Sequence, residues 1–132
     1  MTNPIPALKK YFVTTLGTAT GLTVYDGIAP DDAGSEYVVI TGRSAQQLQG
    51  KTDFISNVSI TVDCVTRGNF TGYKQAEAIG QDVLTAINSD TNITLATGQA
   101  TSLYVAGITN LDGLNPTDNI FRQLITYNVI IS

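Results

Sequence analysis

The sequence predicts an α+β fold in which two helices pack on one face of an antiparallel or mixed β-sheet, with a long polar loop. Three observations predict this class. Apolar residues recur at helical spacing in two segments, one at the N-terminus and one in the middle of the chain. Apolar and polar residues alternate along two longer segments, as in half-buried strands. Turn-forming residues separate the remaining apolar runs, which indicates hairpin-like connections.

The first predicted helix covers residues 4–16. Asn3 suits the N-cap, and Pro4 at the first helical position loses only an amide hydrogen that has no helical partner. Gly17 is expected to end the helix. One apolar stripe at spacings of three and four follows the helix: Ile5, Leu8, Phe12 and Leu16.

The next segment alternates short strands with turns. Leu22 to Tyr25 is a short β-branched and aromatic run, and residues 28–34 form a loop rich in Asp, Gly and Pro. Tyr37 to Thr41 is an unbroken apolar strand, which indicates burial on both faces or an interface. From Gly42 to Phe54 the sequence is polar and Gln-rich without clear periodicity. We therefore expect a long loop there, of a length that is usually functional or flexible.

The clearest strand runs from Ile55 to Thr66. Its inward residues share one parity, Val58, Ile60, Val62 and Cys64, and its outward residues share the other, Asn57, Ser59, Thr61 and Asp63.

The second helix is predicted from an N-cap at Thr71 to Ile87, with further strands after it. Its apolar stripe contains Ala76, Ile79, Val83 and Ile87. The predicted strands that follow are Ile93 to Leu95, Leu103 to Thr109 and Arg122 to Ile131, the last with Ile125, Tyr127, Val129 and Ile131 facing one way. The length fits one domain over residues 1–132.

The composition argues against enzymes, nucleic-acid binders and membrane-spanning proteins. The chain has no histidine and a single cysteine, so Ser-His-Asp and Cys-His nucleophiles are excluded. Only 14% of residues are charged, and the net charge is −4, which argues against phosphate-backbone binding. No apolar stretch approaches the roughly 18–20 residues that span a bilayer. We expect no enzyme activity, and we assign no catalytic, cofactor-binding or metal-binding residue.

Two groups of residues carry alternative interpretations. The carboxylates of Asp26, Asp31, Asp32 and Glu36 are close enough in sequence for a divalent cation and hence for a small metal-dependent cytosolic enzyme. Their spacing matches no calcium loop, and Asp is common in turns, so a loop role is favoured. Cys64 shares the inward parity of its strand and is expected in the core as an inert small hydrophobe.

The predicted long loop contains the residues that best suit a contact with another molecule. Gln46, Gln47 and Gln49 are adaptable hydrogen-bonding groups, and Arg43 and Lys51 flank them. They suit a contact with a neighbouring subunit, although a solvated loop explains the composition equally well.

The order of these segments resembles a known family. The residues that carry the resemblance are Val24-Tyr25-Asp26-Gly27, a loop with Ala29-Pro30, and Tyr37-Val38-Val39-Ile40, followed by a polar segment, a long strand, a helix and a C-terminal strand. In this order the chain resembles the tail-terminator or tail-completion proteins of long-tailed bacteriophages, over nearly its whole length. It differs from many relatives in having no Trp on the long strand.

The resemblance implies a structural protein of the virion tail or neck, made in the cytoplasm of a host bacterium. It implies a homo-oligomer, a hexameric ring, that caps the tail tube, ends its polymerisation and presents a surface to the head–tail connector or head-closure protein. It brings no catalytic residue and no cofactor. By position, residues 42–54 would reach a neighbouring subunit or the tube. The loops at 27–35, with Asp31 and Asp32, and at 111–119 would be further assembly contacts. A head-closure protein or a tube subunit is the alternative within this class.

Overall fold

The computed structural model describes residues 5–48, 55–68, 71–88, 93, 101–114 and 119–131. This part of the chain contains two helices and five strands, which form one mixed sheet in the order β1-β2-β3-β5-β4. Only the β1–β2 pair is parallel, and the other three pairs are antiparallel. The predicted α+β class is confirmed. The elements are α1 (Ile5–Thr20), β1 (Val24–Asp26), β2 (Glu36–Leu48), β3 (Ile55–Gly68), α2 (Lys74–Ala86), β4 (Thr101–Leu114) and β5 (Asn119–Ile131).

Both helices pack on the same face of the sheet, as predicted. α1 lies against β1 and β2, α2 lies against β3 and β5, and the two helices touch each other. The inward residues that the alternation predicted on β3 and β5 are fully buried beneath them. The core therefore lies between one sheet face and the helix pair. The core side chains from the helices are Leu8, Phe12, Leu16, Ile79 and Val83, and Ile87 at the C-cap of α2 joins them.

Tyr127, at the centre of this core, contacts both helices. Its side chain is fully buried, and its ring meets Phe12 edge-on at 5.5 Å between centroids. Its hydroxyl donates a hydrogen bond of 2.7 Å to the carbonyl of Ile87, the residue that caps the C-terminus of α2. Burial raises the pKa of the Tyr127 phenol, so the donor remains protonated. One side chain of β5 thus contacts α1 and holds the end of α2.

α1 continues past Gly17, which the sequence predicted as its end. The amide of Gly21 donates to the Gly17 carbonyl at 3.2 Å, and the Thr20 hydroxyl donates to the Leu16 carbonyl at 2.7 Å. These bonds satisfy carbonyls of the last turn. Gly21 has a φ of 68°, the left-handed conformation in which helices commonly end. The helix therefore ends one turn later than predicted. Residues 3 and 4, its predicted start, lie outside the described residues.

α2 begins at Lys74 rather than directly after Thr71. The amide of Glu77 donates to the carbonyl of Tyr73 at 2.7 Å, so Tyr73 is the N-cap, and no side-chain hydrogen bond caps the helix. The Tyr73 ring meets Phe121 of β5 edge-on at 5.2 Å. The helix therefore begins at a tyrosine whose ring packs on the sheet, whereas the sequence predicted a cap by the Thr71 hydroxyl.

The long polar loop predicted at residues 42–54 is wrong for residues 42–48. These residues belong to β2, whose backbone pairs with β3 until Leu48 lies opposite Ile55. The register shifts between Gly42 and Ser44, where one extra residue forms a bulge. Polar residues occupy both faces of this stretch, and the bulge interrupts its alternation, so the sequence shows no period of two. The stretch is a strand because its backbone is hydrogen-bonded to β3. Residues 49–54 lie outside the described part.

β4 and β5 form a long antiparallel hairpin, and both strands extend beyond their predicted ends. The assembly loop predicted at residues 111–119 is wrong at its ends, because residues 111–114 belong to β4 and Asn119 begins β5. The register shifts between Val105 and Gly107, where Ala106 forms a bulge. Residues 115–118 lie outside the described part, as does the strand predicted at 93–95 apart from Ile93, which is buried.

Candidate assembly surface

The sheet face opposite the helices is covered by no helix within the described residues, and we call it the helix-free face. The outward residues of β3 and β5 lie there. At its centre, Arg122 of β5 pairs with Asp63 of β3. Nε donates to Oδ1 at 3.2 Å and to Oδ2 at 3.0 Å, and Nη2 donates to Oδ2 at 2.5 Å. The Asp63 side chain is 14% exposed and the Arg122 side chain 39%.

This ion pair lies among apolar neighbours. The hydrogen bonds that the Arg122 guanidinium donates to the Asp63 carboxylate raise the pKa of Arg122 above its ordinary value, although partial burial opposes the shift. Val39 and Val65 are buried beside the pair. Together with Ile28 and Ile120 they line a shallow groove of about 300 Å³. Ile28, on the loop after β1, is 85% exposed. The groove therefore combines an oriented charge pair with uncovered apolar surface, a combination typical of protein contacts.

The acidic loop between β1 and β2 is held by Arg67 of β3. Its guanidinium donates to the carbonyls of Asp31 at 2.7 Å and Gly34 at 2.8 Å, and its backbone amide donates to Ser35 at 2.9 Å. The same guanidinium lies over the ring of Tyr37, 5.8 Å from the centroid. Arg67 thus fixes the loop through its backbone and leaves the Asp31 side chain to solvent.

The carboxylates of this loop do not converge. Asp26 pairs with Lys9 of α1 at 2.8 Å, whereas Asp31 and Asp32 are exposed in the turn. Among the described residues no three His, Cys, Asp or Glu side chains are placed to hold a metal ion together. Asp63 faces away from the helices, so it is not paired with a carboxylate of α2. The cation site considered for this loop therefore receives no geometric support from the described residues.

Cys64 lies in the core, as its parity predicted. It is fully buried, and burial, with a smaller effect of the neighbouring Asp63 charge, raises the pKa of the thiol to about 12. The thiol therefore stays protonated near neutral pH. This environment is that of a packing residue, because a reactive cysteine needs a depressed pKa and access to solvent.

The structure separates the residues predicted at an interface into two groups. Gln46 and Gln47 lie in β2 opposite Asn57 and Ser56, and Arg43 lies at the β2 bulge. Gln49 and Lys51 lie outside the described residues. Asp31 and Asp32 precede the other end of β2, and the 13 residues of that strand extend about 40 Å. The glutamines and the aspartates therefore belong to opposite ends of the sheet, and one small partner site does not include both.

Sequence reasoning missed the Asp63–Arg122 pair and the exposed apolar residues of β4. The alternation of apolar and polar residues placed Asp63 and Arg122 on the outward faces of their strands. The pattern within one strand does not show how two strands pair, so it could not show that these two side chains meet. Tyr104 is 50%, Ile108 49% and Leu111 40% exposed. Their apolar character was visible in the sequence, whereas their position on a sheet edge follows only from the strand order.

Comparison with known proteins shows a shared fold. One solved structure, a chain from the virion of a native gene transfer agent particle, matches with a TM-score of 0.66 at 16% identity, over 89% of this chain and 84% of that chain. A second, which carries no descriptive name, matches with a TM-score of 0.61 at 14% identity, over 94% of this chain and 91% of that one. No protein-family model and no curated protein matches the sequence. Within the described residues, no helix is long and apolar enough to cross a membrane.

Proposed function

We propose that this chain is a structural virion protein that forms a ring at the end of a phage tail tube, stops the growth of the tube and offers a surface to the head-side connector. The observation that carries the proposal is the fold shared with a chain of a gene transfer agent virion over most of both chains. The resemblance of Val24–Gly27 and Tyr37–Ile40 to tail terminators supports the position at the tail end.

The surface of the described residues suits such an assembly. Only 14% of the chain is charged, so covering the surface with other subunits desolvates few charges. Large apolar side chains are exposed at Ile28 and along β4, and covering them with another subunit would remove apolar surface from water. These features support an assembly role and need no catalytic group.

The proposed partners are further copies of the chain in a hexameric ring, the tail tube protein and the connector or head-closure protein, and the proposed location is the tail or neck of the virion. Glutamines of β2 belong to the proposed contact between subunits. Asp31 and Asp32 lie on the exposed turn at the other end of the sheet, where they suit a contact with a protein above or below the ring.

A tube subunit is the second candidate, because the virion chain with the shared fold is described by its particle and not by its place within it. Copy number separates the two. Quantitative mass spectrometry of purified virions, with labelled peptides of this chain and of the major tube protein, is expected to give one ring of this chain for many rings of tube protein. Equal amounts of the two, or labelling along the whole tube by an antibody to this chain, would identify a tube subunit and overturn the terminator.

A further inference from the structure

β4 presents an open edge of the sheet. It pairs with β5 on one side and with no described strand on the other. Residues 106–111 are all exposed, so this stretch is open to solvent on both faces of the sheet. The opposite edge is less regular, because it is formed by the three residues of β1 and then by the bulged end of β2. Of the two edges, β4 is the more regular template for another strand.

The edge of β4 lacks the usual protection against pairing. Natural edge strands carry Lys or Pro, are short, or are covered. β4 is 14 residues long and contains neither Lys nor Pro. Its bulge lies between Val105 and Gly107, which leaves residues 107–114 as a regular stretch. Ile108 and Leu111 are exposed within that stretch, so a strand added there would cover apolar surface.

These two apolar side chains lie on opposite faces of the sheet. Ile108 is opposite Ile125, whose side chain is buried beneath the helices, and Leu111 is opposite Arg122 on the helix-free face. Directly opposed residues of neighbouring strands share a face. A partner strand that covers both side chains must therefore present apolar residues on both of its faces.

A second copy of β4 is such a strand. When the two copies are related by a two-fold axis perpendicular to the sheet, the edges run antiparallel and the helices of both copies lie on the same face. To keep the faces matched and five or more residues of the regular stretch paired, the axis must pass through residue 110, 111 or 112.

The residue types favour the middle position. An axis through residue 110 brings Asp112 opposite Ile108, and an axis through residue 112 brings Asp112 opposite its own copy. An axis through Leu111 brings Leu111 opposite its own copy, Ile108 opposite Leu114, and Asp112 opposite Asn110. Apolar residues then oppose apolar ones, and no two like charges are opposed.

The helices leave room for this pairing. α2 lies against β3 and β5, so two strands of each copy separate it from the axis or support it from below. With neighbouring strands about 4.8 Å apart, the axes of the two α2 helices lie about 19 Å apart. A helix with its side chains is about 10–12 Å wide. The two helices therefore do not collide, and Ile108 of each copy lies on the floor of the space between them.

We propose that residues 108–114 of β4 pair antiparallel with the same residues of a second copy of this chain, about a two-fold axis through Leu111. Seven residues on each strand form about six to eight backbone hydrogen bonds. The contact is isologous, so it closes at two copies. It goes beyond the proposed function, because a six-fold ring requires a different, head-to-tail contact, and the free chain forms the dimer whether or not it enters a ring.

A cysteine on the axis tests the register. Leu111→Cys places two thiols on directly opposed residues, whose Cβ atoms lie about 4.5–5.5 Å apart, close to the separation in a disulfide. Thr109→Cys is the matched control, since it is exposed on the same strand and the same face. Its two copies lie four residues apart along the strands, about 13 Å, which is too far for a disulfide. The native Cys64 is fully buried, so the wild type is expected to give no cross-link.

Under oxidised glutathione, Leu111→Cys is expected to form a disulfide-linked dimer at least ~10-fold faster than Thr109→Cys, because only its thiols meet the distance that a disulfide requires. Equal rates for the two variants would overturn the register. Faster cross-linking of Asn110→Cys than of Leu111→Cys would overturn it as well, because the axis would then pass through residue 110.

Hydrogen exchange and sedimentation of the full chain test the pairing itself. Half of the amides of an edge strand point away from its only neighbour and exchange rapidly. From micromolar to millimolar concentrations the wild type is expected to change from monomer to dimer, with increasing protection of these amides in residues 108–114. Leu111→Lys places two ammonium groups opposite one another and is expected to weaken dimerisation at least ~10-fold. Ser102→Lys, exposed on β4 before the bulge, is the matched control and is expected to dimerise like the wild type.

The outcomes separate the dimer from the ring. A wild type that remains monomeric up to millimolar concentrations overturns the pairing, as does a dimer in which residues 108–114 stay unprotected. Rings that form while these amides exchange rapidly overturn the pairing and leave the proposed function intact. Dimers with protected edges that never close into rings support the pairing and count against the ring. Should Leu111→Lys lose its circular-dichroism signal, the concentration dependence of protection in the wild type decides in its place.

Discussion

Replacing Tyr127 by Phe removes one hydroxyl from the core and leaves the shape of the side chain almost unchanged. The ring contact with Phe12 at 5.5 Å is retained, whereas the hydrogen bond to the Ile87 carbonyl at 2.7 Å is lost. That carbonyl lies at the C-terminus of α2, beyond the reach of any further helical amide. A buried acceptor left without a donor costs about 1–3 kcal/mol. We expect the free energy of unfolding to fall by that amount.

For 132 residues this loss corresponds to a decrease in Tm of about 4–11 °C. Urea unfolding followed by circular dichroism, at one protein concentration for all variants, measures the loss as a shift in midpoint at unchanged slope. Tyr104→Phe is the matched control, because its hydroxyl accepts from Asn128 at an exposed site. The control is expected to change stability by less than about 0.5 kcal/mol. Equal effects of the two substitutions would refute the reasoning.

Three further predictions follow from the ion pairs and the buried thiol. A double-mutant cycle with Asp63→Asn and Arg122→Ala is expected to give a coupling of about 1 kcal/mol in urea unfolding, and a coupling near zero would show that the contacts at 3.0 Å and 3.2 Å contribute nothing. Lys9→Ala, which breaks the exposed pair with Asp26, is expected to cost less than about 0.5 kcal/mol in the same assay, and a larger loss would contradict a surface role. Folding raises the pKa of the Cys64 thiol from 9.0 to about 12. Above pH 9 the unfolded state therefore loses a proton that the folded state keeps, and the free energy of unfolding falls by up to about 1.4 kcal/mol per pH unit. Cys64→Ala should remove the decline between pH 9 and 10 in denaturation at stepped pH, and an unchanged slope there would assign the decline to another group.

The residues that face the core could be predicted because burial imposes a period on the sequence. Val58, Ile60 and Val62 alternate with polar residues, and Leu8 and Phe12 recur at helical spacing. The buried face of each segment could therefore be predicted from that segment alone. These assignments needed no knowledge of the neighbouring element. The fold class followed from the order of such segments.

The ends of the elements could not be predicted in the same way, because partners determine them. Residues 42–48 are a strand because β3 supplies their hydrogen bonds, although their own sequence has polar residues on both parities. α1 passes Gly17 because hydroxyl and amide donors satisfy its last turn. In both places tertiary or local hydrogen bonds outweigh weak intrinsic propensities.

The candidate surface was the least accessible to sequence reasoning. The pairing of Asp63 with Arg122 depends on the register between β3 and β5, and the exposure of Ile108 depends on β4 lying at the edge. Neither register nor strand order is encoded in the spacing of residues within a segment. The predicted glutamines remain candidates for the subunit contact, now as part of a strand edge.

The length distribution of tail tubes tests the proposed terminator most directly. Negative-stain micrographs of lysates, with the gene for this chain intact, deleted or supplied in trans, give that distribution. The proposal predicts that deletion yields tubes longer than the normal length and without attached heads, and that supplying the gene restores both. Tubes of normal length joined to heads in the deletion would contradict it.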